Sequence, residues 1–233
     1  MAFTYNDPVI FAEYAIDTAQ ACHALGFKTV AVTAGCIHAA PRREFFAAMD
    51  ATNVDLKAFP ETIDQQQTAS HLTPVHDSLQ YIHHETDCWL QITTLPIPGL
   101  NDSAPELDAM SRWLVDHLDT AVPQHFTAFP PDYKLDRLPR TPLVTRQRAR
   151  RTAPDAGLRH IYTGKVRDAE GDRTLCSHCR ALLVERDWHA LQRYELYARG
   201  ARPHCGTALV GRFAERFEGR IGQHRLPRRV TMG

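Results

Sequence analysis

The chain has 233 residues, and its 27 basic and 27 acidic side chains cancel to a formal net charge of zero. This balance provides no basic field for a nucleic acid, so we expect no nucleic-acid partner. Because no apolar run approaches the roughly 18–20 residues of a membrane span and the N-terminus does not resemble a signal peptide, we expect a cytoplasmic protein with no membrane partner.

Helix-like and strand-like segments alternate from the N-terminus to about residue 165. The predicted helices span residues 9–25, 41–49, 74–85, 103–118 and 145–156. The predicted strands span residues 28–33, 53–59, 88–95, 124–129 and 158–163. Such alternation predicts right-handed βαβ units and a parallel sheet, either a barrel or an open doubly wound sheet. Polar residues at the strand ends, among them Thr33, Asp55 and Thr127, favour the barrel.

The first residues have the pattern of a strand remnant, Phe3-Thr4-Tyr5. We therefore expect Met1 to fall inside the fold, at the mouth of a strand. Asn6 and Asp7 follow, and Pro8 opens the first predicted helix, which makes an N-cap the simplest interpretation of this pair. The alternative is that both side chains lie at the rim of the sheet and accept hydrogen bonds from an ammonium group.

Another segment of interest lies in the predicted strand at 53–59 and is Asn53-Val54-Asp55-Leu56-Lys57. Period two places Asn53, Asp55 and Lys57 on one face of a strand. An acid and an amine are costly to bury unless they pair or take part in chemistry. Three interpretations stay open, namely an ion pair, a Schiff-base lysine at Lys57, and polar contact with a bound cofactor.

Two turns follow later strands. The first is Leu-Pro-Ile-Pro-Gly-Leu-Asn-Asp at 95–102, which is either only a loop or the lining of a ligand pocket. The second belongs to Phe-Thr-Ala-Phe-Pro-Pro-Asp-Tyr-Lys at 126–134, an aromatic strand end that runs into a turn with polar residues at its tip. Pro-Gly, Asn-Asp and Pro-Pro pairs are typical of such turns.

The six cysteines fall into two groups. Cys22, Cys36 and Cys88 lie in or beside apolar runs, which indicates reduced core residues. The other three lie close to the C-terminus, and the Cys-x-x-Cys spacing indicates a metal site; they are Cys176, Cys179 and Cys205.

A complete metal ribbon has a fourth ligand, and Arg202 stands where a second Cys-x-x-Cys pair would begin. His204, His178 or His189 can substitute for the missing cysteine, and the alternative is a vestigial site. The change of composition after Asp168 predicts three regions, which are a barrel at 1–167, a small zinc-ribbon-like unit at 168–213 and a disordered tail at 214–233.

Segments spread along the chain resemble one protein family when they are taken in order. They are Phe-Thr-Tyr-Asn-Asp-Pro-Val-Ile-Phe-Ala-Glu-Tyr-Ala at 3–15, Thr-Val-Ala-Val-Thr-Ala-Gly at 29–35, Asn-Val-Asp-Leu-Lys-Ala-Phe at 53–59, Ile-Thr-Thr-Leu-Pro-Ile-Pro-Gly-Leu-Asn-Asp at 92–102, His-Phe-Thr-Ala-Phe at 125–129 and Ile-Tyr-Thr-Gly at 161–164. They resemble the radical SAM protein of the AmmeMemoRadiSam system, which is similar to the enzymes that activate pyruvate formate-lyase.

The resemblance implies a partial parallel (β/α) barrel of radical SAM type that lacks its first βα unit, followed by a small C-terminal cysteine ribbon. It implies that the chain is truncated at its N-terminus. The family's cofactors are S-adenosylmethionine and a [4Fe–4S] cluster, which yield a 5′-deoxyadenosyl radical for hydrogen abstraction. By position, Asn6 and Asp7 match the motif that receives the methionine amino group, and Asp55 and Lys57 match polar residues beside the cofactor. The family name implies Memo-like and AMMECR1-like partners.

The chain departs from this family in two ways that bear on activity. The family ligates its cluster through Cys-x-x-x-Cys-x-x-Cys after the first strand, and that motif does not occur in the 233 residues. Relatives usually carry a histidine at the position of Pro130. We therefore expect impaired radical chemistry, and the alternative is a non-catalytic barrel remnant or a metal-binding interaction protein.

Overall fold

The computed structural model describes residues 1–57, 59, 72–165, 168–187, 190–201 and 205–213. The chain divides into two compact units, unit 1 at Met1–Lys165 and unit 2 at Val166–Gly233. The predicted tail at 214–233 lies outside the described residues, as do the possible ligands His189 and His204 and the substituted position Arg202. Among the described residues, every helix is too short or too polar to span a bilayer.

Unit 1 is built on a six-stranded sheet whose spatial order follows the chain order. The strands are β1 (Ala2–Phe3), β2 (Val30–Thr33), β3 (Ala51–Asp55), β4 (Trp89–Thr94), β5 (Gln124–Thr127) and β6 (Ile161–Gly164). Every neighbouring pair is parallel. The helices are α1 (Ala12–Ala24), α2 (Ala39–Ala47), α3 (Leu72–Glu85), α4 (Ala104–His117) and α5 (Leu143–Asp155). The predicted α/β class with a parallel sheet is confirmed.

The core of unit 1 lies between one face of the sheet and the helices. Alternate strand residues point to this face because strand side chains alternate; they include Ala31, Val54, Leu90, Ile92 and Phe126, and all are buried. They pack in one cluster with buried helix residues that include Phe45, Phe46, Leu79, Leu107 and Leu114. The intervening strand residues lie on the opposite face and are half-buried.

Several element ends differ from the sequence-based expectation. The first helix starts with a 3-10 turn at Pro8–Phe11, which Asp7 caps, and α1 begins only at Ala12. Strand β3 ends at Asp55 and not at residue 59, because the side chain of Asn101 donates a hydrogen bond to the carbonyl of Lys57 and draws that backbone into a loop. Ser103 caps α4 as predicted, since its hydroxyl accepts a hydrogen bond from the Glu106 amide.

Unit 2 contains a three-stranded antiparallel sheet in the order β7-β8-β9. Its strands are β7 (Arg173–Leu175), β8 (Leu182–Asp187) and β9 (Ala190–Tyr194). Among its described residues, the buried cluster consists of Cys176, Leu183, Val184, Leu196 and Leu209. The small C-terminal unit is therefore present, and the turn between β7 and β8 carries two of the predicted metal ligands.

Candidate functional site

A row of polar side chains crosses the half-buried face of the unit 1 sheet. The strand register pairs Asp55 with Thr93, Thr93 with His125, and His125 with Tyr162. Because these residues are Cα partners in successive parallel strands, their side chains stand side by side on one face. We call these four residues the polar row. Asp55 and Thr93 lie at the carboxyl ends of β3 and β4, where parallel α/β proteins gather their working groups, and His125 and Tyr162 are the second residues of β5 and β6.

Aromatic side chains form one end of the polar row. The rings of His125 and Tyr162 stack with their centroids 5.0 Å apart and an interplanar angle of 27°. Stacked rings present a flat surface suited to a planar ligand group. This end of the row therefore offers both a π surface and the hydrogen-bonding atoms of an imidazole and a phenol.

A second row of polar residues lies two positions earlier along the strands, where Asn53 pairs with Gln91. Within the part of the chain that the structure describes, Asn53 Oδ1 is buried and accepts no hydrogen bond. Leaving a buried carbonyl unpaired costs about 1–3 kcal/mol, so such an atom points to an acceptor role toward a ligand. Asn53 thus adds a buried hydrogen-bond acceptor to the site, two residues before Asp55 on the same face of β3.

Asp55 is the acidic centre of the site. Burial raises the pKa of its carboxyl group, and the negative charge of Asp7 adds to this effect, whereas Lys57 and Lys165 oppose it. Lys57 Nζ lies 4.0 Å from Asp55 Oδ2. Since the two lysines do not cancel the effect of burial, a cationic or hydrogen-bond-donating ligand group beside Asp55 would be stabilised.

The structure shows Lys57 as the partner in an ion pair, which is one of the three interpretations of the sequence. Its side chain is 43% exposed, so the amine is not desolvated as a Schiff-base lysine requires. Because β3 ends at Asp55, Lys57 lies beyond the strand, yet it stays adjacent to the polar row through this contact.

Asp7 caps the first helical turn, which was the simplest interpretation of the sequence, and it also lies at the end of a strand. Its Oδ1 accepts hydrogen bonds from the Val9 amide at 3.1 Å and from the Thr33 hydroxyl at 2.8 Å. Its Oδ2 accepts from the Ala34 amide at 2.9 Å. The carboxylate therefore caps the first helical turn and also lies at the end of β2, near enough to Asp55 to influence its pKa. Asn6 is exposed beside it.

Three buried polar side chains tie together the loops that follow the strands. Asn101, only 1% exposed, donates from Nδ2 to the carbonyls of Lys57 and Leu95, which joins the loops after β3 and β4. Thr141 donates to the Pro96 carbonyl and accepts from the Phe129 amide at 2.8 Å, which joins the loops after β4 and β5.

The third tie is Arg146, whose guanidinium donates to the carbonyl of Gly164 at the end of β6. The Gly164 carbonyl also accepts a hydrogen bond from the Ala128 amide, and these contacts together hold the rim of the site in one arrangement. The two segments that the sequence singled out at 95–102 and 126–134 thus belong to one connected rim. Pro130 is exposed within it.

The three cysteines of unit 1 do not form a metal site among the described residues. Cys88 is buried and Cys22 half-buried, but Cys36 is exposed. The prediction of a core position is therefore wrong for Cys36, which lies in the loop after β2. In the described part of the chain, one group of three or more His, Cys, Asp or Glu side chains is close enough to hold an ion, and it consists of Cys176, Cys179 and Cys205.

Some members of the site were not singled out as site residues in the sequence. His125 and Tyr162 occur only inside quoted motifs, and Gln91 in no motif at all. The sequence does contain information that points to them. Side chains alternate along β3, so Asp55 defines one face of that strand, and the neighbours of this face on the next parallel strands are Thr93 and then His125. That step needs the register, which is a property of the assembled sheet.

Comparison with known proteins gives one relative and several structural neighbours. No protein-family model matches the chain. An uncharacterized protein of Methanocaldococcus jannaschii is 33% identical over 186 residues, which cover 80% of this chain and 55% of that protein. The chain thus spans about half the length of this relative.

Two solved structures are similar to this chain in fold. A domain of a pyruvate-formate lyase-activating enzyme from Bacteroides vulgatus has a TM-score of 0.60 at 17% identity, covering 70% of this chain and 98% of that domain. A radical SAM methyltransferase from Sphaerobacter thermophilus has a TM-score of 0.58 at 14% identity, covering 76% of this chain and 52% of that enzyme. The structural neighbours of this chain are therefore radical SAM enzymes, and the expected fold class is confirmed.

Proposed function

We propose that unit 1 binds S-adenosylmethionine along the polar row and that the whole protein is a radical SAM enzyme of the type that activates pyruvate formate-lyase. The observation that carries the proposal is the polar row itself, a line of ligand-type side chains on the half-buried face of a parallel sheet. The fold similarity to radical SAM enzymes supports this assignment over a generic α/β binding protein. Memo-like and AMMECR1-like proteins are the proposed partners.

The residues present suit S-adenosylmethionine as a ligand. Its ammonium group and ribose hydroxyls are donors, and Asp55 supplies a carboxylate whose raised pKa marks an incompletely paired charge. Asn53 Oδ1 is a buried acceptor without a partner among the described residues. The stacked pair of His125 and Tyr162 supplies a flat surface for adenine. When bound, S-adenosylmethionine supplies a 5′-deoxyadenosyl radical for hydrogen abstraction.

The chain's own residues would orient the ligand in the following way. Asp55 accepts a hydrogen bond from a donor of the ligand, while the charge of Lys57 opposes the rise in the pKa of that carboxyl group. Asp7 uses three of the roughly four acceptor directions of a carboxylate within the fold. One direction is left for the methionine amino group, and exposed Asn6 contributes its amide beside it. The tied rim holds these groups in place before binding, which lowers the entropy that binding costs.

The residues of this chain do not suit the [4Fe–4S] cluster that radical chemistry requires. The 233 residues lack Cys-x-x-x-Cys-x-x-Cys. In the described part of unit 1, Cys22, Cys36 and Cys88 form no ligand group with one another. A cluster without three thiolate ligands has no anchor in the protein. For the residues of this chain, we therefore propose S-adenosylmethionine binding and no radical chemistry.

This mismatch favours a second candidate function, a non-catalytic barrel or a metal-binding interaction protein. Anaerobic reconstitution of the chain with iron and sulfide separates the two candidates. About four irons per chain with a thiolate-to-iron absorption would exclude the non-catalytic candidate. An absence of iron together with retained S-adenosylmethionine binding would assign ligand binding, but no radical chemistry, to this chain.

Isothermal titration calorimetry with S-adenosylmethionine tests the binding proposal directly. We expect one site per chain that is weakened in the Asp55→Asn and His125→Ala variants. Asp17→Asn is the matched control, because Asp17 is exposed on α1 and lies outside the site. Equal affinity in all four proteins, or no binding by the unaltered chain, would exclude the polar row as the site.

A further inference from the structure

We propose that Cys176, Cys179 and Cys205 bind a single divalent metal ion, zinc by preference, and that this ion holds together the two turns of unit 2. The proposal concerns unit 2 alone and is independent of the function proposed for unit 1. These three residues are called the cysteine group below. Each lies in a turn: Cys176 and Cys179 between β7 and β8, and Cys205 after β9.

The spacing of the sulfur atoms fits one tetrahedral ion. The three Sγ atoms all lie within 4.8 Å of one another, and Cys176 Sγ is 3.7 Å from Cys205 Sγ. With a zinc–sulfur bond of about 2.3 Å, two thiolates on one tetrahedral zinc lie about 3.8 Å apart. The separation of Cys176 Sγ and Cys205 Sγ matches this value.

The same spacing argues against two other occupants. A disulfide between Cys176 and Cys205 would use two sulfurs and leave Cys179 without a role in the group. A [4Fe–4S] cluster places each thiolate on a different iron, so its ligands must stand farther apart than thiolates that share one ion. The geometry therefore favours a mononuclear site.

Backbone groups around the cysteine group are arranged to stabilise a thiolate. The amides of His178 and Cys179 both point at Cys176 Sγ, at 3.3 Å and 3.2 Å. Hydrogen bonds to the charged form favour that form, and such outer contacts orient metal ligands. Cys176 is also fully buried, where an uncompensated thiolate would be costly and a metal ion would compensate it.

The two turns of unit 2 repeat one backbone feature. Arg180 follows Cys179 with a φ of 60°, and Gly206 follows Cys205 with a φ of 69°. A left-handed conformation costs a non-glycine residue such as Arg180 of order 1 kcal/mol or more, so it persists only where the surroundings impose it. A metal ion shared by both turns supplies that constraint.

Unit 2 also has a structural need for such a link. Among the residues of unit 2 that the structure describes, the buried cluster holds four apolar residues besides Cys176, namely Leu183, Val184, Leu196 and Leu209. Small domains commonly add a metal or a disulfide to a core of limited size. Metal binding is then coupled to the folding of unit 2.

The fourth ligand is not a cysteine of unit 2, because residues 166–233 contain only three cysteines. Zinc in a protein is nearly always four-coordinate, so we expect three sulfurs and one nitrogen or oxygen. X-ray absorption on the zinc-loaded full chain measures this directly. Three sulfurs with either light atom support the proposal, whereas fewer or more sulfurs, or metal–metal scattering, overturn it.

Titration of the reduced, metal-free full chain with Co²⁺ and then Zn²⁺ tests stoichiometry and ligand identity. We expect one Co²⁺ per chain with thiolate charge-transfer absorption, which Zn²⁺ removes by displacement. Cys176→Ser, Cys179→Ser and Cys205→Ser should each weaken binding by at least about 100-fold. Cys22→Ser and Cys36→Ser are the controls and should bind as the unaltered chain does. Binding that is lost in the controls, or retained in all three ligand variants, overturns the proposal.

Hydrogen–deuterium exchange on the unaltered chain keeps the test valid if a ligand variant does not fold. Removal of the metal with a chelator should speed amide exchange in β7, β8 and β9, while β2 to β6 keep their protection. Unchanged protection of β7 to β9 after complete metal removal would overturn the structural role of the ion.

Discussion

Asp7 and Thr33 join the start of the first helical turn to the end of strand β2. The Thr33 hydroxyl, almost fully buried, donates to Asp7 Oδ1 at 2.8 Å, and the next amide, that of Ala34, donates to Oδ2 at 2.9 Å. One carboxylate therefore serves as a helix cap and as a fixed charge at the rim of the sheet. This relationship explains why a residue with a common local role also affects the pKa of Asp55.

Replacement of Asp7 by alanine should destabilise unit 1. The Asp7→Ala change removes a helix cap, which typically costs about 1–2 kcal/mol, and leaves the buried Thr33 hydroxyl without its acceptor. We expect a lower urea midpoint with an unchanged m-value. Asp17→Ala on the exposed face of α1 is the control and should change the free energy of unfolding by less than about 0.5 kcal/mol. Equal stability of the two variants would contradict this account.

Replacement of Asp55 by asparagine should have opposite effects on stability and on ligand binding. Its raised pKa means that the charged form is disfavoured in the fold, so Asp55→Asn should increase the free energy of unfolding at pH 7 by roughly 0.5–2 kcal/mol. The same change removes a charged acceptor and should weaken S-adenosylmethionine binding about 10-fold to 100-fold. Thermal melts and calorimetry on the same preparations measure both quantities.

The affinity for S-adenosylmethionine should depend on the ionisation of Asp55. Because the folded pKa lies above the ordinary value near 4, protonation begins at a higher pH than for an exposed aspartate. Affinity should therefore fall as the pH is lowered toward this raised pKa, and Asp55→Asn should remove the dependence. A pH profile that is identical in the variant would assign the titration to another group.

Asp50 should make stability sensitive to acid. Burial alone would raise its pKa, but hydrogen bonds from Lys28, the Thr29 amide and His23 outweigh that effect and hold the pKa of Asp50 well below its ordinary range. A lowered folded pKa contributes stability that is complete above the unfolded pKa near 4 and is lost as the pH falls below it.

We expect Asp50→Asn to cost about 1–3 kcal/mol at pH 7 and progressively less below about pH 4. Denaturant unfolding at a series of pH values measures this difference. Asp77→Asn, at an exposed position of α3, should follow the pH profile of the unaltered chain. A constant difference between Asp50→Asn and the unaltered chain from pH 7 to pH 3 would show that Asp50 acts without its charge.

Asn101 should control the rim of the site as well as stability. Asn101→Ala leaves the part-buried carbonyls of Lys57 and Leu95 without this donor, and an unsatisfied group costs about 1–3 kcal/mol when it is fully buried and less when water reaches it. We expect a comparable loss of stability and faster amide exchange in residues 95–102. Gln20→Ala on exposed α1 provides the control. Unchanged exchange in this loop would show that the tie does not order it.

Much of the fold was accessible from the sequence because it depends on short-range signals. Apolar period, β-branched runs, and Ser103 before Glu106 predicted α4, β2 and the parallel α/β class, and the structure has all three. The Cys-x-x-Cys spacing likewise predicted that Cys176 and Cys179 lie together. Boundaries were less accurate, as at β3, where a side chain from residue 101 decides where the strand ends.

Only some of the residues of the site could be identified from the sequence. Asp55 and Lys57 were identified because strand alternation relates residues two apart. His125 and Tyr162 join Asp55 through inter-strand register, and no local pattern encodes a register across 70 or more residues of chain. The exposure of Cys36 was missed for a related reason, since an apolar neighbourhood in sequence does not decide which way a loop faces.

Local sequence patterns were enough to identify the alternation of strands and helices, the candidate ligands of unit 2 and the acidic residue Asp55 of unit 1. The folded chain was needed to show that Asp7 both caps a helix and lies at the rim, that the polar row has four members, and that three sulfurs lie within 4.8 Å of one another. The physical reason is the distance along the chain over which each effect acts. Propensity and period act over a few residues, whereas strand register and loop closure bring together side chains that are distant in the chain.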